Sequence, residues 1–218
     1  MIPDTRAFRA LARRDPLLGA AMRRLPPFPG FPTGVLARGT HFHALARAIV
    51  YQQLATRAAA TIHARVCALT RGKAFPSPSE LLAMPIKRLR AAGLSQAKAL
   101  ALLDLAARFE SGELRHRSLG RLDDERVIER LVAVRGIGVW SAQMFLIFRL
   151  GRLDVMPTGD LGVREGVRCL DGLAERPSPQ EVLARSERWR PLRSVASWTL
   201  WRLVENARQA QPRRAPGA

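Results

Sequence analysis

The chain has 218 residues, with 36 lysine and arginine residues against 18 aspartate and glutamate residues, a formal net charge of +18. This charge favours a polyanionic partner such as nucleic acid, although part of the arginine excess can reflect genomic base composition. No apolar run approaches the roughly 20 residues that a membrane-spanning helix needs, so we expect no membrane contact and a cytoplasmic protein, associated with the nucleoid if the source is bacterial.

The N-terminal part of the chain is predicted to form two short helices and a linker. Helical spacing of apolar residues runs through residues 7–22 and is interrupted at Asp15-Pro16, where the proline ends the first helix. Residues 25–39 are rich in proline and glycine, which is typical of a linker. We therefore assign residues 1–39 to N-terminal helices and a linker that belong to the helical fold.

The next segments are also predicted to be helical. An alanine-rich helical pattern occupies residues 41–70 and is broken near Gln53. A further helix is predicted with Ser79 as its cap, and another follows Ser95 and includes Lys98. Lys98 has two interpretations, a phosphate contact or a solvated surface lysine.

A turn with two glycines follows, Arg135-Gly136-Ile137-Gly138. The apolar spacing of residues 127–134 predicts a helix before the turn, and a second helix should start near Val139. Both glycines permit positive φ, and the first N–H groups of the second helix have no partner within it, so a phosphate can reach them directly. The alternative interpretation is an ordinary helical hairpin with glycine in its turn.

The C-terminal part contains two loop carboxylates and three further helices. Asp154 and Asp160 follow the second hairpin helix; a loop aspartate can be catalytic, but it is more often a helix cap. Helices are predicted over residues 162–170, after a cap at Ser178, and over residues 189–204. We expect a disordered tail over residues 209–218. Because strand patterns are nearly absent, the sequence predicts an all-α fold.

Four ordered segments carry a family resemblance. They are Ala48-Ile49-Val50-Tyr51-Gln52-Gln53; Gly93-Leu94-Ser95 with Lys98 and Ala99; Gly136-Ile137-Gly138 with Trp140, Asp154 and Asp160-Leu161-Gly162; and Pro191, Arg193 and Ser194 with Leu200-Trp201. Together they resemble the helix-hairpin-helix DNA glycosylases of base excision repair, and more narrowly the 3-methyladenine DNA glycosylase II family, which removes alkylated bases. The resemblance implies a helix-hairpin-helix glycosylase core over residues 40–208, with two helical subdomains flanking a cleft.

The resemblance implies a monofunctional enzyme. Asp160 matches the family's catalytic aspartate, with Asp154 as the competing candidate. Relatives that also cut the DNA backbone carry a lysine two residues after the second hairpin glycine, and that position is Trp140 here. An indole cannot form a Schiff base, so we expect hydrolysis of the N-glycosidic bond without AP-lyase activity.

The resemblance also implies residues that contact DNA. Gln53, with Leu54 beside it, matches the wedge that fills the gap left by a flipped nucleotide, and either residue can be the wedge. The hairpin residues Arg135, Gly136, Ile137 and Gly138 would contact the DNA backbone. The base-pocket positions are Trp140, Trp201, Met144 and Leu161. Met144 and Leu161 stand where long relatives have tyrosines, and core packing is the alternative interpretation for the two tryptophans.

The sequence also bears on which cofactors and partners the protein binds. Cys67 and Cys169 are the only cysteines, too few for an iron-sulfur cluster, and the four histidines show no metal-ligand spacing. We expect no cofactor and no side-chain metal site, while a cation at the hairpin carbonyls stays open. The expected partner is double-stranded DNA with alkylated bases such as 3-methyladenine or 7-methylguanine, bound by a monomer. A non-catalytic helix-hairpin-helix module, or a glycosylase for another lesion class, is the alternative.

Long relatives carry a separate β-rich N-terminal domain. Only residues 1–39 precede the segment that resembles the family core. We therefore expect this chain to lack that domain.

Overall fold

The computed structural model describes residues 2–72 and 74–210, and every regular element within these residues is helical, as the sequence predicts. In chain order the α-helices are α1 (Thr5–Arg14), α2 (Pro16–Arg24), α3 (His41–Tyr51), α4 (Thr56–Cys67), α5 (Pro78–Ala83), α6 (Ile86–Ala91), α7 (Gln96–Glu110), α8 (His116–Leu119), α9 (Asp124–Val132), α10 (Val139–Phe148), α11 (Leu161–Asp171), α12 (Pro179–Ser186) and α13 (Arg193–Ala210). Short 3-10 turns occupy Val35–Ala37 and Glu187–Trp189. None of the described helices is long and apolar enough to span a membrane.

Two predicted helix starts differ from the structure. Helix α5 is capped by Ser77 rather than Ser79, because Ser77 and Glu80 form a reciprocal capping box. The last helix was expected to include Trp189, which instead lies in a 3-10 turn. Pro191 lacks the amide N–H that a continuous helix through this segment would need, so α13 begins after it.

The last helix extends further than the sequence indicates. Gln209 and Ala210, assigned from the sequence to a disordered tail, are the final residues of α13. Glutamine and alanine have good helix propensity, which allows the helix to continue through them. The rest of the predicted tail, residues 211–218, lies outside the described residues.

The chain folds into two compact units. Among the described residues, the first, which we call unit 1, contains residues 2–33 and 151–210, and unit 2 contains residues 34–72 and 74–150. The sequence-based assignment grouped residues 40–208 as one core behind an N-terminal segment 1–39. In the structure the N-terminal helices pack with elements of the C-terminal third of the chain.

Specific contacts explain this packing in unit 1. Helix α2 packs against α11 and α13, and α1 packs against the 3-10 turn Glu187–Trp189. Asp15, the N-cap of α2, accepts the indole Nε1–H of Trp189 at 2.7 Å and forms an ion pair with Arg185 of α12. A cluster of buried core residues in this unit consists of Leu11, Leu18, Met156, Val163, Val167, Val182, Trp189, Leu192, Val195, Ala196 and Leu200.

Helix α7 is the central helix of unit 2. It packs against α3, α5 and α6, and its side chains Leu102 and Leu105 are completely buried. Helices α9 and α10, on either side of the predicted hairpin, pack against each other. A buried helix with several packed neighbours has few alternative positions, so α7 is a rigid support for the loops bonded to it.

Two histidines of unit 2 form a partly buried stacked cluster. The Nε2 atoms of His43 and His63 lie 3.4 Å apart, and the two rings stack on Phe75 at centroid distances of 5.3 and 5.2 Å. Burial, together with the charge of Arg47 and the neighbouring His43, lowers the pKa of His63 to about 4. These histidines are therefore neutral packing residues near neutral pH.

We expect this cluster to make stability depend on pH. The unfolded chain protonates His63 near its ordinary pKa of 6.5, whereas the folded chain protonates it only near 4, so the free energy of unfolding should fall as the pH is lowered between these values. His63→Phe keeps a ring beside Phe75 but removes the titrating group, and should weaken this dependence. Urea unfolding at several pH values measures it. Carboxylates titrate mainly below about pH 5, so above that pH the comparison reports on histidine. If the free energy of unfolding changed equally with pH in the variant and the wild type above pH ~5, the prediction would be contradicted.

Candidate active site and nucleic-acid interface

Asp160 lies at the N-terminus of α11, where two donors hold its carboxylate. Its Oδ1 atom accepts the backbone N–H of Val163 at 2.7 Å and the indole Nε1–H of Trp201 at 2.8 Å. Asp160 is therefore a helix cap, which was the alternative interpretation of the sequence, but it is also oriented by an indole that capping does not require. Its partial exposure leaves the residue accessible to a substrate.

Two glycines of α11 allow this arrangement. A Cβ atom at Gly166 would lie 2.5 Å from Cβ of Leu200, and a Cβ atom at Gly162 would lie 2.9 Å from Cδ1 of Trp201. Because these glycines are four residues apart, they share one face of the helix. Helix α11 can therefore approach α13 closely enough for Trp201 to reach Asp160.

Asp154, the competing candidate, is engaged by two arginines within unit 1. Its carboxylate oxygens lie 2.9 Å from Nε of Arg193 and 3.2 Å from Nη1 of Arg190. The backbone N–H of Arg193 also donates to it, at 3.3 Å. This ion-pair network suits a structural role, which leaves Asp160 as the stronger candidate for chemistry.

Residues 133–138, which we call the hairpin turn, connect α9 and α10. Gly136 has a φ of 78°, but Gly138 has a φ of −98°, so only Gly136 uses the conformational freedom that the sequence offers at both glycines. Gly138 is the N-cap of α10, and a Cβ atom added there would meet nothing within 4 Å. The N-terminus of α10 consequently has no side-chain cap and is open to an approaching group.

The amides of the hairpin turn differ in their availability. The N–H of Arg135 donates to Oδ2 of Asp104 at 2.8 Å, and the N–H of Ile137 donates to the carbonyl of Val134 at 3.1 Å. The side chain of Ile137 is buried and anchors the turn. Within the described residues, the N–H groups of the two exposed glycines have no acceptor, so they are the amides of this turn that face solvent.

The predicted wedge residues lie between α3 and α4, in residues 52–55, which we call the wedge loop. Gln53 has a φ of 53°, a left-handed conformation that is uncommon for residues other than glycine, and it is exposed. Leu54 is 39% exposed although its neighbours in α3 belong to the core. Both residues therefore remain candidates for the wedge.

Gln52 and Lys98 hold the base of the wedge loop. Nε2 of Gln52 donates to the carbonyl of Gly136 at 2.9 Å and lies 3.4 Å from the hydroxyl of Ser141. Nζ of Lys98 donates to the carbonyls of Val50 and Gln52, both at 2.7 Å, and burial lowers the pKa of this lysine. Lys98 is thus bonded to the end of α3, which neither interpretation of the sequence foresaw.

A cavity of about 720 Å³ lies in unit 2. Its lining residues are Ala44, Leu45, Ala48, Tyr51, Gln52, Gln53, Gly136, Trp140, Ser141, Met144, Phe145 and Phe148. Trp140 and Met144, which were predicted for the base pocket, line this cavity together with Phe148, which the sequence analysis did not name. The spacing of these three residues at intervals of four places them on one face of α10, and this pattern is the signal that could have identified Phe148.

The other two predicted pocket residues belong to unit 1. Trp201 is partly buried beside Asp160, and Leu161, the first residue of α11, is 60% exposed. Trp201 also packs against the buried core of unit 1, which agrees with the core-packing interpretation for this residue, whereas Trp140 is 50% exposed.

In the described ranges, no three His, Cys, Asp or Glu side chains are placed to hold a metal ion, and Cys67 and Cys169 are free thiols. The carbonyl of Gly136 already accepts a hydrogen bond from Gln52.

Comparisons with known proteins agree on one family. The model for HhH-GPD superfamily base excision DNA repair proteins matches residues 46–191. DNA-3-methyladenine glycosylase 1 of Schizosaccharomyces pombe is 36% identical over 182 residues, which cover 83% of this chain and 80% of the relative. The solved structure of the S. pombe 3-methyladenine DNA glycosylase in complex with abasic DNA is 34% identical, with a TM-score of 0.79 over 90% of this chain and 95% of that one. A DNA-3-methyladenine glycosidase from Bacillus halodurans is 32% identical, with a TM-score of 0.85 over 95% and 93%.

Proposed function

Since this chain belongs to the 3-methyladenine DNA glycosylase family of the HhH-GPD superfamily, we propose that it is a monofunctional glycosylase of base excision repair. In this proposal it flips alkylated bases of the 3-methyladenine or 7-methylguanine type out of duplex DNA and hydrolyses the N-glycosidic bond. The observation that carries the proposal is the carboxylate of Asp160, which is oriented by Trp201.

The chemistry requires stabilisation of a sugar cation. Rupture of an N-glycosidic bond leaves oxocarbenium-like charge on the sugar, and a fixed carboxylate lowers the energy of that charge and can orient the attacking water. The bonds from Val163 and Trp201 go to Oδ1 of Asp160 and come from rigid donors, a helix amide and an indole. Because cationic alkylated purines leave without prior protonation, a general acid is not required.

The flipped base is proposed to enter the cavity beside α10. An electron-poor, cationic base stacks favourably on an aromatic face. The half-exposed Trp140 provides such a face, and Tyr51 and Phe148 add further aromatic surface to the same lining. Met144 contributes a polarisable side chain that adapts to bases of different shape.

The hairpin turn is proposed to hold a DNA phosphate through its glycine amides. If about six phosphates are contacted in total, affinity for undamaged duplex should fall roughly 10³-fold between about 50 and 200 mM salt, because bound counterions are released. Gly138→Val should bind duplex DNA more weakly than the wild type at each salt concentration, because the added side chain blocks a phosphate. Its melting temperature should be unchanged, since a Cβ atom at this position meets no other protein atom within 4 Å. Fluorescence anisotropy at several salt concentrations measures both effects.

A matched control is available for this variant. Gly120 also belongs to unit 2, and a Cβ atom at this position would meet nothing within 4 Å. Its φ of −70° is accessible to valine, so Gly120→Val should fold normally and leave DNA affinity unchanged. A flat salt response, or equal weakening by the two glycine variants, would contradict a backbone contact at the hairpin turn.

Incubation with methylated duplex DNA tests the enzyme directly. We expect release of 3-methyladenine and formation of abasic sites, with strand breaks only after alkali treatment. Because Trp140 occupies the position of the lyase lysine, borohydride should trap no covalent complex between protein and DNA.

Three outcomes of this assay would contradict different parts of the proposed function. Binding without release of any base would favour the non-catalytic module, and release of a different base from a lesion panel would change the substrate class. Efficient borohydride trapping would mean that an amine attacks the sugar, so the enzyme would not be monofunctional.

A further inference from the structure

We propose that Gln52 and Lys98 are positioning residues that lock the wedge loop to the hairpin turn, so that both surfaces act on DNA as one rigid body. That these two surfaces contact DNA rests on the proposed function. The lock itself is defined by hydrogen bonds within unit 2.

The conformation of Gln53 is the first support. A left-handed residue other than glycine persists only where its surroundings impose that conformation. The preceding residue, Gln52, is held twice: its carbonyl accepts from Lys98, and its side chain donates to the carbonyl of Gly136. These bonds constrain the backbone that enters Gln53 and explain how an exposed glutamine keeps this geometry.

The second support is that one helix holds both surfaces. Lys98 and Asp104 lie six residues apart on α7, which is about 9 Å along its axis. Lys98 binds the base of the wedge loop, and Asp104 accepts the N–H of Arg135 in the hairpin turn. Since α7 is the buried central helix of unit 2, it fixes the distance between the two surfaces.

A fixed distance between the wedge loop and the hairpin turn should help the enzyme to keep a base flipped out. A wedge keeps a base out of the stack only if the loop that carries it resists being pushed back. Contacts between the hairpin turn and the DNA backbone can supply that resistance only when the turn and the loop are rigidly connected. Loss of the lock should therefore impair flipping of a paired base more than the cleavage of a base that is already unpaired.

Amide hydrogen exchange in the absence of DNA tests the lock. In Lys98→Met and in Gln52→Ala, we expect the hydrogen-bonded amides of residue 52 and Ile137 to exchange at least about tenfold faster than in the wild type, while amides of α12 are unchanged. Lys87→Met, which removes an exposed lysine of α6, is the matched control. Unchanged exchange in both test variants would overturn the proposal, whatever the DNA assays show.

Single-turnover excision tests its role in flipping. On a lesion paired in duplex, each variant should be slowed about tenfold or more, and on the same lesion opposite an abasic site by less than about threefold. Equal loss on both substrates would overturn the proposal, because it would place the defect in chemistry or stability. Absence of any excision by the wild type would instead refute the proposed function, and the exchange result would still decide whether the lock exists.

Discussion

Replacing Asp160 with asparagine is expected to slow single-turnover release of 3-methyladenine by at least about a hundredfold, because each ~1.4 kcal/mol of lost transition-state stabilisation is worth a factor of ten. The side-chain oxygen of asparagine can still accept from Val163 and Trp201, so the helix cap and the fold should survive. Binding to abasic DNA should be retained or strengthened, since a negative charge near phosphates is removed. Rapid-quench assays and anisotropy measure the two quantities.

Asp154→Asn is the matched control for this experiment. It removes a second carboxylate of unit 1 that is bonded to Arg190 and Arg193, so we expect some loss of stability but excision within about tenfold of the wild type. If the Asp160 variant excised at a near-normal rate and the Asp154 variant did not, the catalytic assignment would pass to Asp154.

Asp15→Ala should destabilise the protein by about 2–4 kcal/mol, a substantial part of the ~5–15 kcal/mol that stabilises a typical native protein, because a helix cap and the acceptor of buried donors are lost. Asp15 is only 2% exposed, forms an ion pair with Arg185, and accepts hydrogen bonds from the indole of Trp189 and the N–H of Leu18. Burial alone would raise its pKa, but the contacts from Arg185, Leu18 and Trp189 outweigh burial and lower it. Removal of this buried carboxylate leaves the indole N–H of Trp189 and Nη1 of Arg185 without their partner, while Asp171 still pairs with Nε and Nη2 of the guanidinium.

Urea unfolding followed by circular dichroism measures this loss. Glu129→Ala is a suitable control because Glu129 pairs with Arg126 on the surface, where both side chains are more than two-thirds exposed. Such exposed pairs contribute about 0–1 kcal/mol, so the control should change stability little. Similar small losses in both variants would mean that the Asp15 network does not hold the N-terminal helices in unit 1.

Local signals in the sequence account for most of the helices. The helix cap at Ser178, the break near Gln53 and the turn between the two hairpin helices depend on residues only a few positions apart, and each appears in the structure where it was expected. The prediction of an all-α glycosylase fold rested on the order of such motifs, and the comparisons confirm it. The roles given to Asp160, Trp140 and the wedge residues stay predictions that the experiments above can test.

The contacts that orient the candidate site could not be read from the sequence. The bond from Trp201 to Asp160 depends on how closely α11 and α13 pack, which two glycines permit. The bond from Gln52 to Gly136 joins residues 84 positions apart in the sequence. The bonds from Lys98 to the end of α3 span up to 48 positions. No local pattern encodes such pairs, because a side-chain donor meets a distant carbonyl only after the intervening helices have packed and excluded the water that would otherwise compete for it.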